Sequence, residues 1–199
     1  MDGWFTLPFS VPNYLAPLLG TPLPGPEHPA VREAVDRAQG RIGRLMAVGG
    51  TQAPVTFHRR LGEILYAGCG VTRSEEGLRA AREEVAALRA EFWADVRVSG
   101  STSAHNPCLE QALRVADFLE LGELMCVDAL DRTESCGAHF RVESRAGSEA
   151  RRDDEHWAFA SAWATSQAEG TGGATALAFT RRAEPLRFEA VPLAERSYA

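Results

Sequence analysis

The chain has 199 residues, of which 45% are hydrophobic and 24% are charged, a balance typical of a globular protein with one ordinary domain or a domain with an appendage. The net charge of −6 argues against nucleic-acid binding, and no apolar run is long enough to cross a bilayer. All 21 basic residues are Arg, so Schiff-base lysine chemistry and a phosphate-binding lysine are excluded.

The chain begins with an apolar, aromatic-rich segment, residues 1–27, that includes a proline-rich turn. Its first ten residues lack the basic start and the long apolar core of an export signal, which predicts a cytosolic protein or one that a partner holds at a membrane. Exposed apolar patches usually contact another surface. We therefore expect this segment to pack on the rest of the chain or on an upstream domain.

A helical bundle is predicted for residues 28–145, where apolar residues recur at steps of three and four. The first helix is expected over about Pro29–Val48, and the pair Gly49 and Gly50 ends it. The second helix is expected over about Val55–Ala67, before another glycine-rich stretch.

The third and fourth predicted helices are the longest of the bundle. Ser74 is expected to cap the third helix, whose apolar positions are Leu78, Ala81, Val85, Leu88, Phe92 and Val96. The fourth helix begins near Pro107 with Asn106 as its cap, and it is apolar on two faces, so we expect it to be buried between its neighbours. Together the helices predict an all-α fold, an up-and-down helical bundle of the spectrin-repeat-like kind.

Residues 146–199 are predicted to form a small β-hairpin and an extended tail. The expected strands are Trp157–Trp163 and Ala176–Thr180, separated by the glycine-rich residues 169–173. From Pro185 onward the chain is expected to lie extended on the surface.

No cofactor or metal motif stands out. Neither glycine-rich stretch, residues 68–70 or residues 170–173, has the spacing and context of a nucleotide-binding loop. The widely spaced cysteines predict free thiols and no metal site, because none forms a C-x-x-C pair and no Cys/His pair has zinc spacing. They are Cys69, Cys108, Cys126 and Cys136.

A dense group of polar residues, Asp131–Arg141, directly follows the fourth helix. One interpretation is a network of ion pairs and hydrogen bonds that closes the helix end, with Gly137 supplying the turn. The alternative is an acid–base site built from Glu134 and His139. The structural network is favoured, because such networks also gather charged groups.

The same segment carries a family resemblance. It reads DRTESCGAHFR and resembles the R-x-E-S-x-G-A/G-H-x-R segment of succinate dehydrogenase and fumarate reductase flavoprotein subunits. Residues 152–157, RDDEHW, are similar to the R-D-D-E-N-W/F segment of that family, and residues 69–78 and 114–124 also resemble it. The resemblance extends over nearly the whole chain and is closest to the branch that has Cys at position 136.

The resemblance implies that the chain is the C-terminal helical part of such a subunit, which interconverts succinate and fumarate through FAD. The flavin-binding domain and the catalytic residues would then lie before Met1. Residues 1–27 would continue from that absent domain, and the isolated chain would bind no cofactor and be inactive. The implied partners are the flavin-binding domain of the same subunit, an iron–sulfur subunit and, indirectly, a membrane anchor. The implied location is the cytoplasmic side of the cell membrane.

The resemblance assigns a structural or interface role, and no catalytic, cofactor or metal role, to the two motifs. The residues concerned are Arg132, Glu134, Ser135, His139, Arg141, Asp153, Asp154 and Glu155. Two alternatives stay open. One is the tail of an L-aspartate oxidase, which the match at residues 134–141 and the ending Ser197-Tyr198 disfavour. The other is a stand-alone helical scaffold or assembly module.

Overall fold

The structure is a computed structural model that describes residues 11–147, 149–168, 176–190 and 192–194. The expectations for the first ten residues, for the glycine-rich stretch 169–173 and for the ending Ser197-Tyr198 lie outside these residues. The described part of the chain is mostly helical with small β-hairpins near its C-terminal end, which confirms the coarse fold prediction. No helix among the described residues has the length and apolar character to cross a membrane.

The chain divides into two compact units, residues 1–43 and residues 44–199. In the first unit, residues 11–15 are helical and continue into a 3₁₀ turn, Ala16–Leu18. Helix α1, Pro29–Val48, begins in the first unit and ends in the second, where Leu45 is buried. Its limits match the predicted ones.

Three helices pack pairwise in the second unit: α2, Pro54–Gly68; α3, Glu75–Asp95; and α4, Pro107–Asp131. Both predicted caps are present. The Ser74 hydroxyl accepts a hydrogen bond from the Gly77 backbone N–H at 3.1 Å, and Asn106 Oδ1 accepts one from the Leu109 N–H at 3.0 Å. The three helices therefore lie where periodicity and capping predict them. Their description as a spectrin-repeat-like bundle stays a prediction.

The apolar face of α3 supplies much of the core. Every apolar position predicted for this helix is buried, including Val96 just after its end. The Phe57 and Phe92 rings lie edge to face, with centroids 5.2 Å apart and an interplanar angle of 86°. The core is thus formed where α2, α3 and α4 meet.

Helix α4 corrects one expectation. One of its faces is buried against α2 and α3, but the other is open among the described residues, with Phe118 40%, Leu121 52% and Met125 42% exposed. The expectation that both apolar faces of α4 are buried between its neighbours is therefore wrong for the described part of the chain. Gly122 allows the close approach on the buried side, since a Cβ there would lie 3.1 Å from a Leu61 methyl group.

Two very short strand pairs accompany the helices. Strand β1, Thr72–Arg73, runs parallel to β2, Phe140–Arg141, and β3, Arg145–Ala146, runs antiparallel to β4, Glu149–Ala150. Two-residue strands are too short to show periodicity, so no sequence pattern predicts them. Pairing of β1 with β2 brings the end of the Asp131–Arg141 segment back to the start of α3.

The predicted hairpin is confirmed, with a later start. Its strands are β5, Phe159–Ala168, and β6, Ala176–Pro185, which pair antiparallel from Phe159↔Pro185 to Ala168↔Ala176. Trp157, predicted as the first strand residue, instead ends a short helix, α5, Asp154–Trp157. The Asp153 carboxylate caps this helix by accepting a hydrogen bond from the His156 N–H at 3.3 Å.

Candidate functional site

The Asp131–Arg141 segment begins in the last turn of α4 and folds back in a tight turn. The backbone N–H of Cys136 donates to the His139 carbonyl at 2.9 Å, and the His139 N–H donates to the Cys136 carbonyl at 3.0 Å. Gly137 has a φ of 60°, a conformation in which a side chain is strained. This turn brings Arg141, at the end of the segment, next to the last carbonyl groups of α4.

Arg141 closes the C-terminal end of α4. Its side chain is buried, and its Nη1 donates to the Ala129 carbonyl at 2.9 Å and to the Leu130 carbonyl at 3.4 Å. These carbonyls belong to the last turn of the helix, where a cation also interacts favourably with the helix dipole. Arg141 therefore satisfies backbone groups that would otherwise be buried without a partner.

Glu143 joins this arrangement to the start of α3. One carboxylate oxygen accepts from Arg141 Nε at 3.0 Å, and the other accepts from the Glu75 backbone N–H at 2.7 Å. Burial raises the pKa of Glu143, but hydrogen bonds from the Glu75 N–H and from Arg141 outweigh it and hold the pKa below its usual range. Sequence reasoning missed this residue, because its partner lies 68 positions earlier in the chain.

Glu134 connects the two family-like motifs. Its carboxylate is 3% exposed and accepts from Arg132 Nη1 at 2.5 Å through one oxygen. The other oxygen accepts from the Asp153 backbone N–H at 2.8 Å. The buried negative charge therefore has an ionic partner and a backbone partner, as buried charges require.

Ser135 is fully buried and ties three backbone segments together. Its hydroxyl accepts from the Arg141 N–H at 2.8 Å and donates to the Ser144 carbonyl at 2.6 Å. Its backbone N–H donates to the Arg151 carbonyl at 2.9 Å. A serine hydroxyl can accept one hydrogen bond and donate another, and it is small enough to fit this buried position.

His139 has a partner at each ring nitrogen. Nε2 lies 2.8 Å from the Arg132 carbonyl oxygen, which only accepts, so Nε2 carries the proton. Nδ1 lies 2.7 Å from Nη1 of Arg73, which only donates, so Nδ1 is unprotonated and the ring is neutral. Burial and the positive charge of Arg73 lower the pKa of His139, which agrees with this protonation state.

The second motif, residues 152–157, surrounds α5. Asp154 Oδ1 accepts from Arg152 Nη2 at 2.5 Å, Arg152 Nη1 donates to the Ala194 carbonyl at 3.0 Å, and Asp153 caps the helix. Glu155 lies exposed in the single turn of α5. Asp153 thus caps α5, Asp154 pairs with the Arg152 side chain that bonds the Ala194 carbonyl, and Glu155 is exposed.

A cation–π contact and an ion pair connect the hairpin to the end of α4. The Arg132 guanidinium, directly after α4, lies 5.9 Å from the ring centroid of Phe159 in β5 and 5.4 Å from that of Trp157. Arg181 of β6 forms an ion pair with Asp131. These contacts make the polar segment continuous with the hairpin.

The geometry bears on the two interpretations of the polar cluster. Both carboxylate oxygens of Glu134 and both ring nitrogens of His139 are engaged within the protein. A general base needs an acceptor atom within hydrogen-bond reach of a substrate proton. This arrangement favours the structural network over an acid–base pair.

Two clefts between the helices do not fit a flavin. A cleft of about 460 Å³ between α2 and α3 is lined by three carboxylates, Glu63, Glu84 and Glu91, and by one cation, Arg60, which is already paired with Glu91. A groove of about 250 Å³ between α2 and α4, lined by His58, Leu65, Phe118 and other side chains, is almost entirely apolar. Nor does any group of three or more potential metal ligands occur among the residues that the structure describes.

Comparison with known proteins matches a part of the chain that contains both motifs. A protein-family model described as the fumarate reductase flavoprotein C-terminal region matches residues 58–198. A fumarate reductase flavoprotein subunit from Helicobacter pylori strain 26695 is 30% identical over 127 residues, which cover 64% of this chain and 17% of that subunit. The chain thus spans about a fifth or less of the curated relatives that it matches.

Solved structures share the fold. A quinol–fumarate reductase solved with menaquinol molecules matches 90% of this chain and 29% of its own, with a TM-score of 0.65 at 22% identity. Sdh1 from Mycobacterium smegmatis in complex with UQ1 matches 87% of this chain and 26% of its own, with a TM-score of 0.61 at 21% identity. With the family model covering most of its length, the chain belongs to the family of fumarate reductase flavoprotein C-terminal regions.

Proposed function

We propose that this chain is the C-terminal structural region of a flavoprotein subunit that interconverts succinate and fumarate. In this role FAD and the dicarboxylate bind to a flavin-binding domain that precedes the chain. Electrons pass from that flavin to an iron–sulfur subunit, on the cytoplasmic side of the membrane. This chain contributes no catalytic residue and supports the domain that does.

The main support for this proposal is that the side chains of the polar motif bond to helix ends and to one another. Arg141 bonds the last carbonyls of α4, and Glu143 bonds the first turn of α3. Glu134 and His139, the residues best suited to acid–base chemistry, have internal partners at every side-chain acceptor and donor atom. Such a motif fixes the end of α4 relative to the start of α3, and a region that supports another domain needs this rigidity.

The apolar groove between α2 and α4 supports a docking role for the same region. Phe118, Leu121 and Met125 line it and are exposed by 40 to 52% among the described residues. A contiguous apolar surface of this kind usually contacts another protein surface. We assign it to the flavin-binding domain of the same subunit, with α2, α3 and α4 forming an up-and-down bundle behind it.

The first experiment separates support from catalysis. The purified chain is assayed for FAD binding by flavin absorbance and for fumarate reduction with reduced viologen, beside the intact Helicobacter pylori subunit as a positive control. We expect the chain to bind no FAD and to show no activity. A chain that bound FAD and reduced fumarate would overturn the proposal.

The second experiment tests support directly. A chimaera carries this chain in place of the C-terminal region of the Helicobacter pylori subunit, beside a truncated subunit that lacks the region. We expect more bound FAD in the chimaera than in the truncated subunit, and less in a chimaera with Arg141→Ala than with Glu155→Ala, since only Arg141 closes a helix end. Equal FAD content in all four proteins would contradict a supporting role.

The exposed groove also favours a second candidate, a stand-alone assembly module. In that case the groove would hold a protein unrelated to flavin chemistry, and Leu121→Asp would leave the FAD content of the chimaera unchanged. In the first candidate the same substitution lowers the FAD content, because it places a charge in the domain contact.

A further inference from the structure

The two strands of the hairpin form a sheet of their own. Strand β5 pairs with β6 along its whole length, and among the described residues no third strand joins them. Each strand therefore has one outer edge that faces no other strand of the described part of the chain. An unpaired edge presents a row of backbone N–H and C=O groups to which a further strand can add.

The register identifies the backbone groups at the outer edge of β5. In an antiparallel pair, residues that exchange backbone hydrogen bonds alternate with residues whose N–H and C=O point away from the partner strand. The Leu186 N–H donates to the Ala158 carbonyl at 2.9 Å, just before β5 begins. Since the two strands continue this register, the even-numbered residues of β5 bond to β6 and the odd-numbered residues point outward.

Most of this outer edge has no hydrogen-bond partner within the described residues. Arg132 Nη2 donates to the Phe159 carbonyl at 3.3 Å, at the first position of β5. The next outward positions are Ser161, Trp163 and Thr165, and no hydrogen bond from the described part of the chain reaches their backbone groups. The backbone at these positions can therefore accept a strand from another molecule.

The two outer edges of the hairpin differ in their protection. Proteins protect exposed edge strands with charged side chains and with proline, which hinder the addition of another strand. Strand β6 contains Arg181, Arg182 and Glu184 and ends at Pro185. Strand β5 contains neither a charged residue nor a proline. Strand addition is therefore expected at the β5 edge.

We propose that the outer edge of β5 pairs antiparallel with β5 of a second copy of this chain, about a twofold axis at Trp163. The sequence of residues 160–166, ASAWATS, is nearly palindromic about this tryptophan. In this register Trp163 pairs with its own copy, and Ser161 pairs with Thr165 of the second copy. These outward positions give about six backbone hydrogen bonds between the two copies.

A second copy fits this edge because the pairing places similar residues side by side. Ser161 lies opposite Thr165 of the second copy, and Ala162 lies opposite its Ala164. Cross-strand pairs of hydroxyl residues and of aromatic rings are favourable, whereas like charges opposite one another are not. Because β5 has no charged residue, no like-charge repulsion within the strand opposes the approach of an identical strand.

The surrounding contacts favour a discrete dimer. Trp163 Nε1 donates to Asp128 Oδ1 at 2.7 Å, so α4 already holds the central residue of the edge in place. The resulting sheet has the strand order β6–β5–β5–β6, and the charged β6 strands at its two ends hinder further addition. A sheet of more than two strands is also more stable than a lone hairpin.

The test compares the full chain at low and high concentration. Sedimentation velocity measures the dimer fraction, and amide hydrogen exchange followed by NMR measures protection at single residues. We expect the dimer fraction to rise with concentration. The amides of Ser161, Trp163 and Thr165 should become protected only at high concentration, whereas those of Ala162 and Ala164 should be protected at both concentrations, because they bond to β6.

A matched pair of proline variants identifies the edge that pairs. Ser161 and Ala183 lie opposite each other in the hairpin, and each directs its N–H outward, Ser161 from β5 and Ala183 from β6. Proline is tolerated at such positions, because the missing N–H does not belong to the β5–β6 ladder. Ser161→Pro should abolish the dimer, and Ala183→Pro should leave it intact.

Two further variants keep every backbone N–H. Thr165→Arg places a charge at the β5 edge and should lower the dimer fraction. Leu121→Asp should leave the dimer intact, because the groove between α2 and α4 shares no residue with β5. Circular dichroism checks that each variant folds. The proposal is wrong if the unaltered chain is monomeric at every concentration, if its dimer persists in both β5 variants, or if the dimer dissociates in Ala183→Pro or Leu121→Asp.

Discussion

Two neighbouring regions of this protein are held together by different forces. The helices α2, α3 and α4 are held by apolar side chains that have no directional requirement, such as Leu78, Leu88 and Phe92. Residues 131–147 and 149–154 are held by hydrogen bonds and ion pairs between specific atoms, many of them to backbone groups. The helical region should therefore tolerate substitutions of similar volume, whereas the polar region should tolerate few substitutions.

Two side chains of the polar region bond the ends of the helices. Arg141 bonds backbone carbonyls of α4, and Glu143 bonds the backbone N–H of Glu75 in α3. Since both contacts are made to helix ends, the polar region completes backbone hydrogen bonding that the helices cannot complete alone. Loss of either region should therefore weaken the other.

The largest effect is expected from opening the helical core. Phe92→Ala removes a fully buried ring that packs edge to face on Phe57, and should cost about 3–5 kcal/mol of unfolding free energy. Urea denaturation followed by far-ultraviolet circular dichroism measures this loss. Tyr66→Ala is the control, since Tyr66 is 88% exposed and its removal should leave the midpoint nearly unchanged.

A similar or slightly smaller effect is expected in the polar region. Glu134→Ala leaves the Arg132 guanidinium and the Asp153 N–H without their buried partner, and should cost about 3 kcal/mol. Glu110→Ala breaks an exposed pair with Arg114 and should cost about 0.5 kcal/mol or less. Equal losses in the two variants would show that the polar region is not specifically bonded.

A smaller loss is expected at the start of α4. Asn106→Ala removes the acceptor of the Leu109 N–H and should cost about 1 kcal/mol in the same denaturation experiment. Asn106→Ser keeps a capping oxygen and should recover most of that loss. If serine behaves like alanine, the contribution of Asn106 comes instead from its Nδ2 bonds to the Ser99 and Ser101 carbonyls.

The smallest effect expected is the pH dependence contributed by His139. Its folded-state pKa is lowered, so its contribution to stability is complete above the unfolded value of about 6.5 and is lost as the pH falls through the folded-state pKa. The stability difference between the unaltered chain and His139→Gln, from urea midpoints at several pH values, should shrink as the pH falls. A difference that grew on acidification would contradict a neutral ring.

His156 serves as a control for His139, because its pKa is shifted in the opposite direction. A hydrogen bond from its ring to the Asp153 carboxylate raises the pKa of His156. Its contribution is therefore present below about pH 6.5 and is lost as the pH rises through the raised value. His156→Gln should differ from the unaltered chain only on the acidic side, which distinguishes the two histidines in one experiment.

The local sequence pattern predicts the buried positions and the caps of the helices well. The steps of three and four in α3 correctly identify every buried position from Leu78 to Phe92, and the caps Ser74 and Asn106 occur where their residue types predict them. The same pattern fails on the outer face of α4. An apolar stripe shows that a face prefers to be covered, but not whether this part of the chain supplies the cover.

The residue types of the polar segment indicate a network of charged groups, but they do not indicate which atoms bond to each other. Arg132, Glu134 and His139 stood out as a network, yet neither Arg73 nor Glu143 was expected to belong to it. Arg73 lies 66 residues before His139, and only the pairing of β1 with β2 brings them together. Two-residue strands leave no trace in a sequence pattern, so this contact had no local signal.

The amino-acid sequence by itself determined the helices, their caps, the hairpin and the family, because each of these depends on residue types within a few positions of one another. Only the tertiary structure decided which atoms the charged side chains bond and which face of α4 stays open among the described residues. Those outcomes depend on distances between residues that are remote along the chain, and such distances exist only once the helices have packed.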